Sequence, residues 1–135
     1  MVKNTMATKR KAGERTKLNK KLDTLAKTAA KERDDYTCQR CGKQERGSIM
    51  HGSHVYPVSS GNLLRWDIMN IKALCYGCHL QWWHLNPLEA AEWFNDKFPE
   101  RAKYLQSKID THNAYTVKPK MSIQDLRDLV ETFKD

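Results

Sequence analysis

Two Cys-x-x-Cys pairs, Cys38-Gln39-Arg40-Cys41 and Cys75-Tyr76-Gly77-Cys78, are the strongest signal in this sequence, and His79 directly follows the second pair. Each pair closes a tight turn that aims two thiolate sulfurs at one ion, and four sulfurs complete the tetrahedral shell of a structural Zn²⁺. Because a complete shell leaves no open position for chemistry, we interpret the four cysteines as a structural zinc site. The 33 residues between Cys41 and Cys75 are then expected to carry the reactive groups.

The alternative interpretation of the cysteines is two disulfides. The first thirty residues are rich in lysine and contain no apolar segment of signal-peptide length. We therefore expect a cytoplasmic, reducing compartment, in which paired Cys-x-x-Cys motifs are usually metal sites. We expect no membrane partner, since no segment is long and apolar enough to span a bilayer.

The net charge of +8 lies entirely in the first 31 residues. They carry ten Lys or Arg against two acidic residues, whereas the rest of the chain carries fourteen basic and fourteen acidic side chains. A basic segment that neutralises phosphates releases counterions, so the arm predicts salt-sensitive, sequence-independent binding to nucleic acid. The alternative is a charged helix that contacts only solvent.

The 135 residues divide into four predicted segments. Residues 1–13 are predicted to be a disordered basic arm and residues 14–35 a basic amphipathic helix. Residues 36–86 form the zinc-pinned core, and residues 87–135 form a helical C-terminal extension. In that extension, helix starts are indicated by Asn86-Pro87, by Pro99, and by Ser122 with Asp125 three residues later.

Helical spacing gives the basic helix two faces. Its apolar face consists of four residues, Leu18, Leu22, Leu25 and Ala29. Its other face carries five lysines, Lys17, Lys20, Lys21, Lys27 and Lys31. The helix can therefore dock by its leucines while its lysines face a phosphate backbone, and we expect Lys17, Lys20 and Lys21 to bind DNA.

The core carries a longer motif, which runs through Ser53-His54-Val55-Tyr56-Pro57, Gly61, and Asn70-Ile71-Lys72-Ala73-Leu74 into Cys75-Tyr76-Gly77-Cys78-His79. This order and spacing resemble the HNH, or ββα-metal, endonucleases that carry an accessory four-cysteine zinc. The lead-in to Cys38 and the triplet Arg65-Trp66-Asp67 resemble the phage NinG/Rap recombination proteins.

The resemblance implies an α+β fold, with a small ββα-metal core and a structural four-cysteine zinc site, flanked by the basic helix and the C-terminal helices. It implies a DNA endonuclease that leaves 5′-phosphate and 3′-hydroxyl ends, in phage recombination or branched-DNA processing. His54 would be the general base, an assignment that suits an imidazole because it titrates near neutrality. Asn70 would brace the loop, and His79 would bind a catalytic divalent ion, Mg²⁺, Mn²⁺ or Ni²⁺.

The second ligand of that ion is open, because many HNH proteins have an acidic residue where this chain has Ser53. The candidates are His51, His84 and Asp67. His84 lies five residues after His79, about 140° around an ideal helix, so only an irregular turn would bring the two together. Arg65 is a further candidate, as a phosphate-binding residue.

Two other functions have to be weighed against the endonuclease. The first is a zinc-stabilised module that binds duplex or branched DNA without cleaving it, which the serine at position 53 makes plausible. The second is a zinc-dependent base deaminase, which places a His-x-Glu or Cys-x-Glu acid before its cysteine pair. The sequence argues against the deaminase, because no His or Cys is followed two residues later by Glu.

Overall fold

A computed structural model describes residues 2–58 and 61–134, and for residues 2–12 it describes the backbone alone. The long helix α1 spans Val2–Arg33 and is followed by the strands β1, His51–His54, and β2, Ile71–Leu74. A π-helix spans Gly77–Trp83. Three further helices complete the described chain: α2 at Pro87–Lys97, α3 at Pro99–His112 and α4 at Ile123–Thr132. The predicted α+β fold is confirmed.

The structure places residues 2–13 in α1, whereas the sequence predicted a disordered arm over residues 1–13. α1 already begins at Val2, twelve residues before the predicted start at Glu14. No proline interrupts residues 2–33, and alanine, lysine and arginine are good helix formers, so a single glycine at position 13 does not end the helix. Residue 1 lies outside the described part.

The two strands form an antiparallel hairpin that α1 covers. His51 pairs with Leu74 and His54 with Ile71, and all four residues of β2 are buried. Ile71 packs against Ala26 and Ala30 of α1, where small side chains let the helix approach the strand closely. The hairpin is therefore held rigidly beneath the basic helix.

The apolar face of α1 also receives the C-terminal helix. Leu22 is fully buried against Leu126 and Val130 of α4, as the leucine pattern predicted. The start of α4 is fixed by a capping box, in which the Ser122 hydroxyl accepts from the Asp125 amide and the Asp125 carboxylate accepts from the Ser122 amide. This confirms the helix start predicted there.

Helices α2 and α3 begin at the predicted prolines, Pro87 and Pro99. The sequence suggested that the Asn86 side chain would cap α2, but it does not. Its amide instead donates to the carbonyl of Trp82, 3.2 Å away, and so joins α2 to the end of the π-helix. Among the helices of the described residues, none has the length and apolarity needed to cross a membrane.

Candidate nuclease and metal sites

The four cysteines meet at one point. Their sulfurs all lie within 4.8 Å of one another, and the Cys41 and Cys75 sulfurs are 3.7 Å apart. Two sulfurs bound tetrahedrally at about 2.3 Å from one zinc ion lie roughly 3.7 to 3.8 Å apart. The cluster is therefore compatible with a structural Zn²⁺, as the spacing predicted.

The surroundings of the cluster act differently on its thiols, because burial raises the pKa of Cys78 to about 12. All four cysteines are free. Burial would raise the pKa of Cys38, but the amides of Cys41, Cys75 and Arg40 hold that pKa lower, at about 7. The Arg40 guanidinium also lies 3.6 Å from the Cys78 sulfur and 3.8 Å from the centre of the Trp82 ring. The site thus supplies donors for anionic sulfur, the form that binds metal.

His54 ends strand β1 and faces a cleft of about 560 Å³ that His79 and His84 also line. Its Nε2 lies 3.2 Å from the carbonyl oxygen of Arg65. Because that oxygen can only accept, Nε2 carries the proton and Nδ1 retains its lone pair. Burial lowers the pKa of His54 below its usual 6.5, so at neutral pH the imidazole is uncharged and can accept a proton.

Asn70 joins the two sides of the loop between the strands. Its side-chain oxygen accepts from the Tyr56 amide at 2.9 Å, and its nitrogen donates to the carbonyls of Tyr56 and Leu64 at 3.1 and 3.3 Å. Its own carbonyl accepts from the Val55 amide at 2.7 Å. Asn70 is fully buried, so these bonds hold the chain that directly follows His54.

Arg65 does not offer its side chain to a phosphate, contrary to the sequence-based expectation. Its guanidinium donates twice to the Asp23 carboxylate of α1, each time at 2.9 Å, and Trp66 Nε1 donates to the same carboxylate at 2.7 Å. The residue contributes through its backbone, because its carbonyl is the partner of His54. Asp23 of α1 therefore holds in place the loop that orients the His54 imidazole.

The π-helix brings together two histidines that an α-helix would separate. The amide of His84 donates to the carbonyl of His79, five residues earlier, at 3.2 Å, and residues spaced in this way stack over one another. The His79 and His84 Nε2 atoms are 3.1 Å apart. The irregular turn that the sequence left open is thus present.

His51 approaches the opposite edge of the same ring. Its Nδ1 lies 2.9 Å from His79 Nδ1, beside a smaller cleft of about 320 Å³ that both side chains line. Burial, and then the charges of His84 and His51, lower the pKa of His79 to about 3. His79 is consequently a neutral imidazole between two others, with one nitrogen towards each cleft.

These separations fit metal binding by pairs of imidazoles. Two nitrogens at about 2.0 to 2.1 Å from one ion lie roughly 3 Å apart when the angle at the ion is about 90 to 100°. Asp67 does not join the cluster: its Oδ1 accepts from the Met69 amide at 2.9 Å and its Oδ2 from the Tyr104 hydroxyl at 2.7 Å. The structure thus offers two histidine pairs that share His79.

Ser53, at the position of the usual acid, is fully buried, and its hydroxyl contacts Lys72. Lys72 Nζ donates to the Ser53 hydroxyl at 3.0 Å and lies 3.2 Å from the centre of the Trp83 ring. Burial lowers the Lys72 pKa well below its usual value. No sequence pattern indicated this buried lysine, because a strand lysine ordinarily points to solvent.

The three lysines predicted to bind DNA, Lys17, Lys20 and Lys21, are all exposed on α1. Lys27, about two to three turns further along, was noted in the sequence only as part of the charged face. In the structure it lines both clefts.

Comparison with known proteins agrees with this geometry. Residues 38–82, a third of the chain, match the family model for HNH endonucleases. The matched span contains the four cysteines, both strands and the residues His54, Asn70 and His79. The searches of curated proteins and of solved structures each found no match. The matched family and the cysteine cluster together support an HNH family for this chain.

Proposed function

We propose that this protein is a divalent-metal-dependent DNA endonuclease that hydrolyses phosphodiester bonds to 5′-phosphate and 3′-hydroxyl ends. The observation that carries the proposal is the shared cleft, which His54 lines together with His79 and His84. One of these imidazoles has a defined tautomer with a free lone pair, and the other two form a pair of metal-binding nitrogens. These are the two chemical functions that metal-assisted phosphodiester hydrolysis requires.

His54 acts in this proposal as the general base. Its Nδ1 takes a proton from water as that water attacks phosphorus, while Nε2 stays hydrogen-bonded to the Arg65 carbonyl. The carbonyl also accepts more strongly from the imidazolium formed in this step than from neutral imidazole. Asn70 keeps the chain after His54 in place during the step, through its four hydrogen bonds to the loop.

The ion would be held by His79 and His84, since these two nitrogens face the cleft that contains His54. The pair formed by His51 and His79 lies beside the smaller cleft and is the alternative. A bound divalent ion supplies stabilisation of negative charge on a phosphate oxygen and on the departing 3′ oxygen. Substrate phosphate and water would complete a shell with so few protein ligands.

The substrate is DNA, and the basic helix α1 supplies the sequence-independent attraction. Its exposed lysines follow one another on the face that does not pack against α4. Branched DNA is the finer proposal, supported only by the resemblance of the Arg65-Trp66-Asp67 triplet and the cysteine lead-in to NinG/Rap proteins. Both substrate types therefore belong in the first assay.

The test is cleavage of supercoiled plasmid, linear duplex and a four-way junction with Mg²⁺, Mn²⁺, Ni²⁺ or EDTA. His54→Ala should bind DNA normally but cleave about 10² to 10⁴ times more slowly, the usual worth of a general base. His84→Ala should raise the metal concentration required, and His51→Ala should raise it much less. His112→Ala, at the exposed end of α3, is the matched control and should behave as wild type.

Cleavage at the wild-type rate by His54→Ala would contradict the base assignment. A larger metal defect in His51→Ala than in His84→Ala would move the ion to the smaller cleft. End labelling of the products with and without phosphatase tests the expected 5′-phosphate.

A non-catalytic DNA-binding module is the second candidate, and the burial of Ser53 against Lys72 favours it. Strand β1, which contains Ser53, has no acidic side chain, so only imidazoles are left to bind the ion. A wild-type protein that binds DNA but leaves all three substrates intact with every metal would establish this alternative.

A further inference from the structure

We infer that Lys27 binds a backbone phosphate of the nucleic acid between the two clefts, and that Gly52 is the residue that lets it reach there. The inference rests on the proposed function, because it assigns a substrate contact in that same site. It goes beyond the lysines expected from the sequence, which lie nearer the start of α1.

The first observation is the position of Lys27. It lines the larger cleft with His54 and the smaller one with His51, and His79 borders both. Lys27 is therefore close enough to act on the candidate base and on the candidate metal ligand alike.

The second observation is the close approach of α1 to strand β1. A Cβ atom added at Gly52 would lie 2.8 Å from Cγ and 2.9 Å from Cβ of Lys27. Real side chains do not approach so closely, so only glycine lets the lysine stem lie across the strand. Gly52 stands between His51 and His54 in β1, which places the stem directly over the site.

The third observation is that no hydrogen bond holds the Lys27 ammonium. Within residues 13–58 and 61–134, Lys27 forms neither a hydrogen bond nor a salt bridge, although its charge acts on the Asp23 carboxylate one turn earlier. Lys31, one turn later, differs because its Nζ donates to the carbonyls of Gly47 and Met50 at 3.1 and 3.3 Å. Lys27 is thus the better placed of the two to accept a new anionic partner.

The lining of the clefts identifies that partner as a nucleotide phosphate. The smaller cleft offers hydroxyl groups from Thr24, Thr28 and Ser48, which suit phosphate oxygens. The larger cleft is apolar along Val55, Val58 and other side chains, which suits the face of a sugar or base. Lys27 lies at the boundary, where a nucleotide would place its charge.

The probe is thymidine 3′,5′-bisphosphate, added to the zinc-loaded protein without any other divalent metal and followed by tryptophan fluorescence, because Trp83 lines the larger cleft. Lys27→Met keeps the apolar stem and removes the charge, and it should weaken binding about tenfold to a hundredfold, the worth of one charge-assisted hydrogen bond. Lys27→Arg should retain binding within about threefold. Lys103→Met removes an equal charge from an exposed position on α3, outside the lining of both clefts, and should leave bisphosphate binding unchanged.

Gly52→Ala provides an independent variant in which the lysine is present but its stem is displaced. It should weaken bisphosphate binding as Lys27→Met does, in protein whose circular dichroism and zinc content match those of wild type. Equal binding by wild type and Lys27→Met, or equal losses in Lys27→Met and Lys103→Met, would overturn the inference. A wild type that binds the bisphosphate through Lys27 yet cleaves no DNA would support this inference and refute the nuclease proposal.

Discussion

The link from Asp23 through Arg65 to His54 can be broken with one isosteric substitution, Asp23→Asn. The carboxylate accepts two hydrogen bonds from the Arg65 guanidinium and one from Trp66 Nε1. An amide can accept at most at its single oxygen, and it carries no charge. The substitution therefore loosens the loop whose carbonyl orients His54, while every residue that lines the larger cleft is kept.

The expected loss of stability is modest. Hydrogen bonds to charged groups contribute about 1.5 to 3 kcal/mol each when well shielded. The Arg65 and Asp23 side chains are 27% and 31% exposed, so water replaces part of the lost interaction. We expect a loss of about 1 to 2 kcal/mol in the free energy of unfolding, measured by urea denaturation of the zinc-loaded protein.

The catalytic loss should be larger than this stability change suggests. A general base raises the rate by about 10² to 10⁴. If the loss of orientation removes half of the logarithm of this factor, single-turnover cleavage at saturating DNA falls about tenfold to a hundredfold. DNA binding by the zinc-loaded protein without added catalytic metal should not change. The negative charge of Asp23 raises the pKa of His54, so its removal should also move the acid limb of the pH–rate profile to lower pH.

Glu14→Gln is the matched control. Glu14 is also an acid of α1 that pairs with an arginine, Arg127 of α4, but both side chains are exposed and neither contacts the loop of His54. It should change stability by less than about 1 kcal/mol and leave the cleavage rate unaltered. If Asp23→Asn loses stability while it cleaves at the wild-type rate, then Asp23 supports the fold alone and the positioning argument fails.

Three further outcomes are expected. Removal of the zinc with a strong chelator should unfold residues 36–80, because structural-zinc binding energy is largely folding energy; metal analysis should first find one zinc per chain, and circular dichroism should then report the loss. Because burial keeps the pKa of His54 below 6.5, the base is deprotonated above that value, so cleavage should remain above half of its plateau at pH 6.5 and decline only at lower pH. Neutralising the exposed lysines Lys17, Lys20 and Lys21 should lower the slope of log binding constant against log salt by about one unit for each lost phosphate contact. An unchanged slope would mean that these lysines contact no phosphate.

Features that depend on neighbours in the chain could be predicted from the sequence. The cysteine pairs, the proline starts of α2 and α3 and the capping box at Ser122 all follow from spacings of three residues or fewer. The motif placed His54, Asn70 and His79 in one region, and the structure does bring these three together. Their chemical roles remain predictions.

Features that depend on distant partners could not be predicted. Arg65 was expected to bind phosphate because no local pattern in the sequence indicates its pairing with Asp23, which lies 42 residues away. The same holds for Lys72, which is buried by the Trp83 ring and the Ser53 hydroxyl. Ser53→Asp, which the family pattern would favour as a way to tighten metal binding, would place its carboxylate beside Lys72, so we expect no gain in metal affinity.

The π-helix places the candidate metal-binding histidines beside the four-cysteine cluster in this chain. Cys78 fixes the start of the helix at the zinc cluster, and the buried Trp82 fixes its end against Trp93, with ring centres 5.4 Å apart. An α-helix between these anchors would turn His84 about 140° away from His79. The wider π turn instead stacks the two histidines on one face. The zinc therefore contributes to the proposed chemistry by fixing the rotation of the helix, since releasing Cys78 would free both histidines to turn out of the cleft.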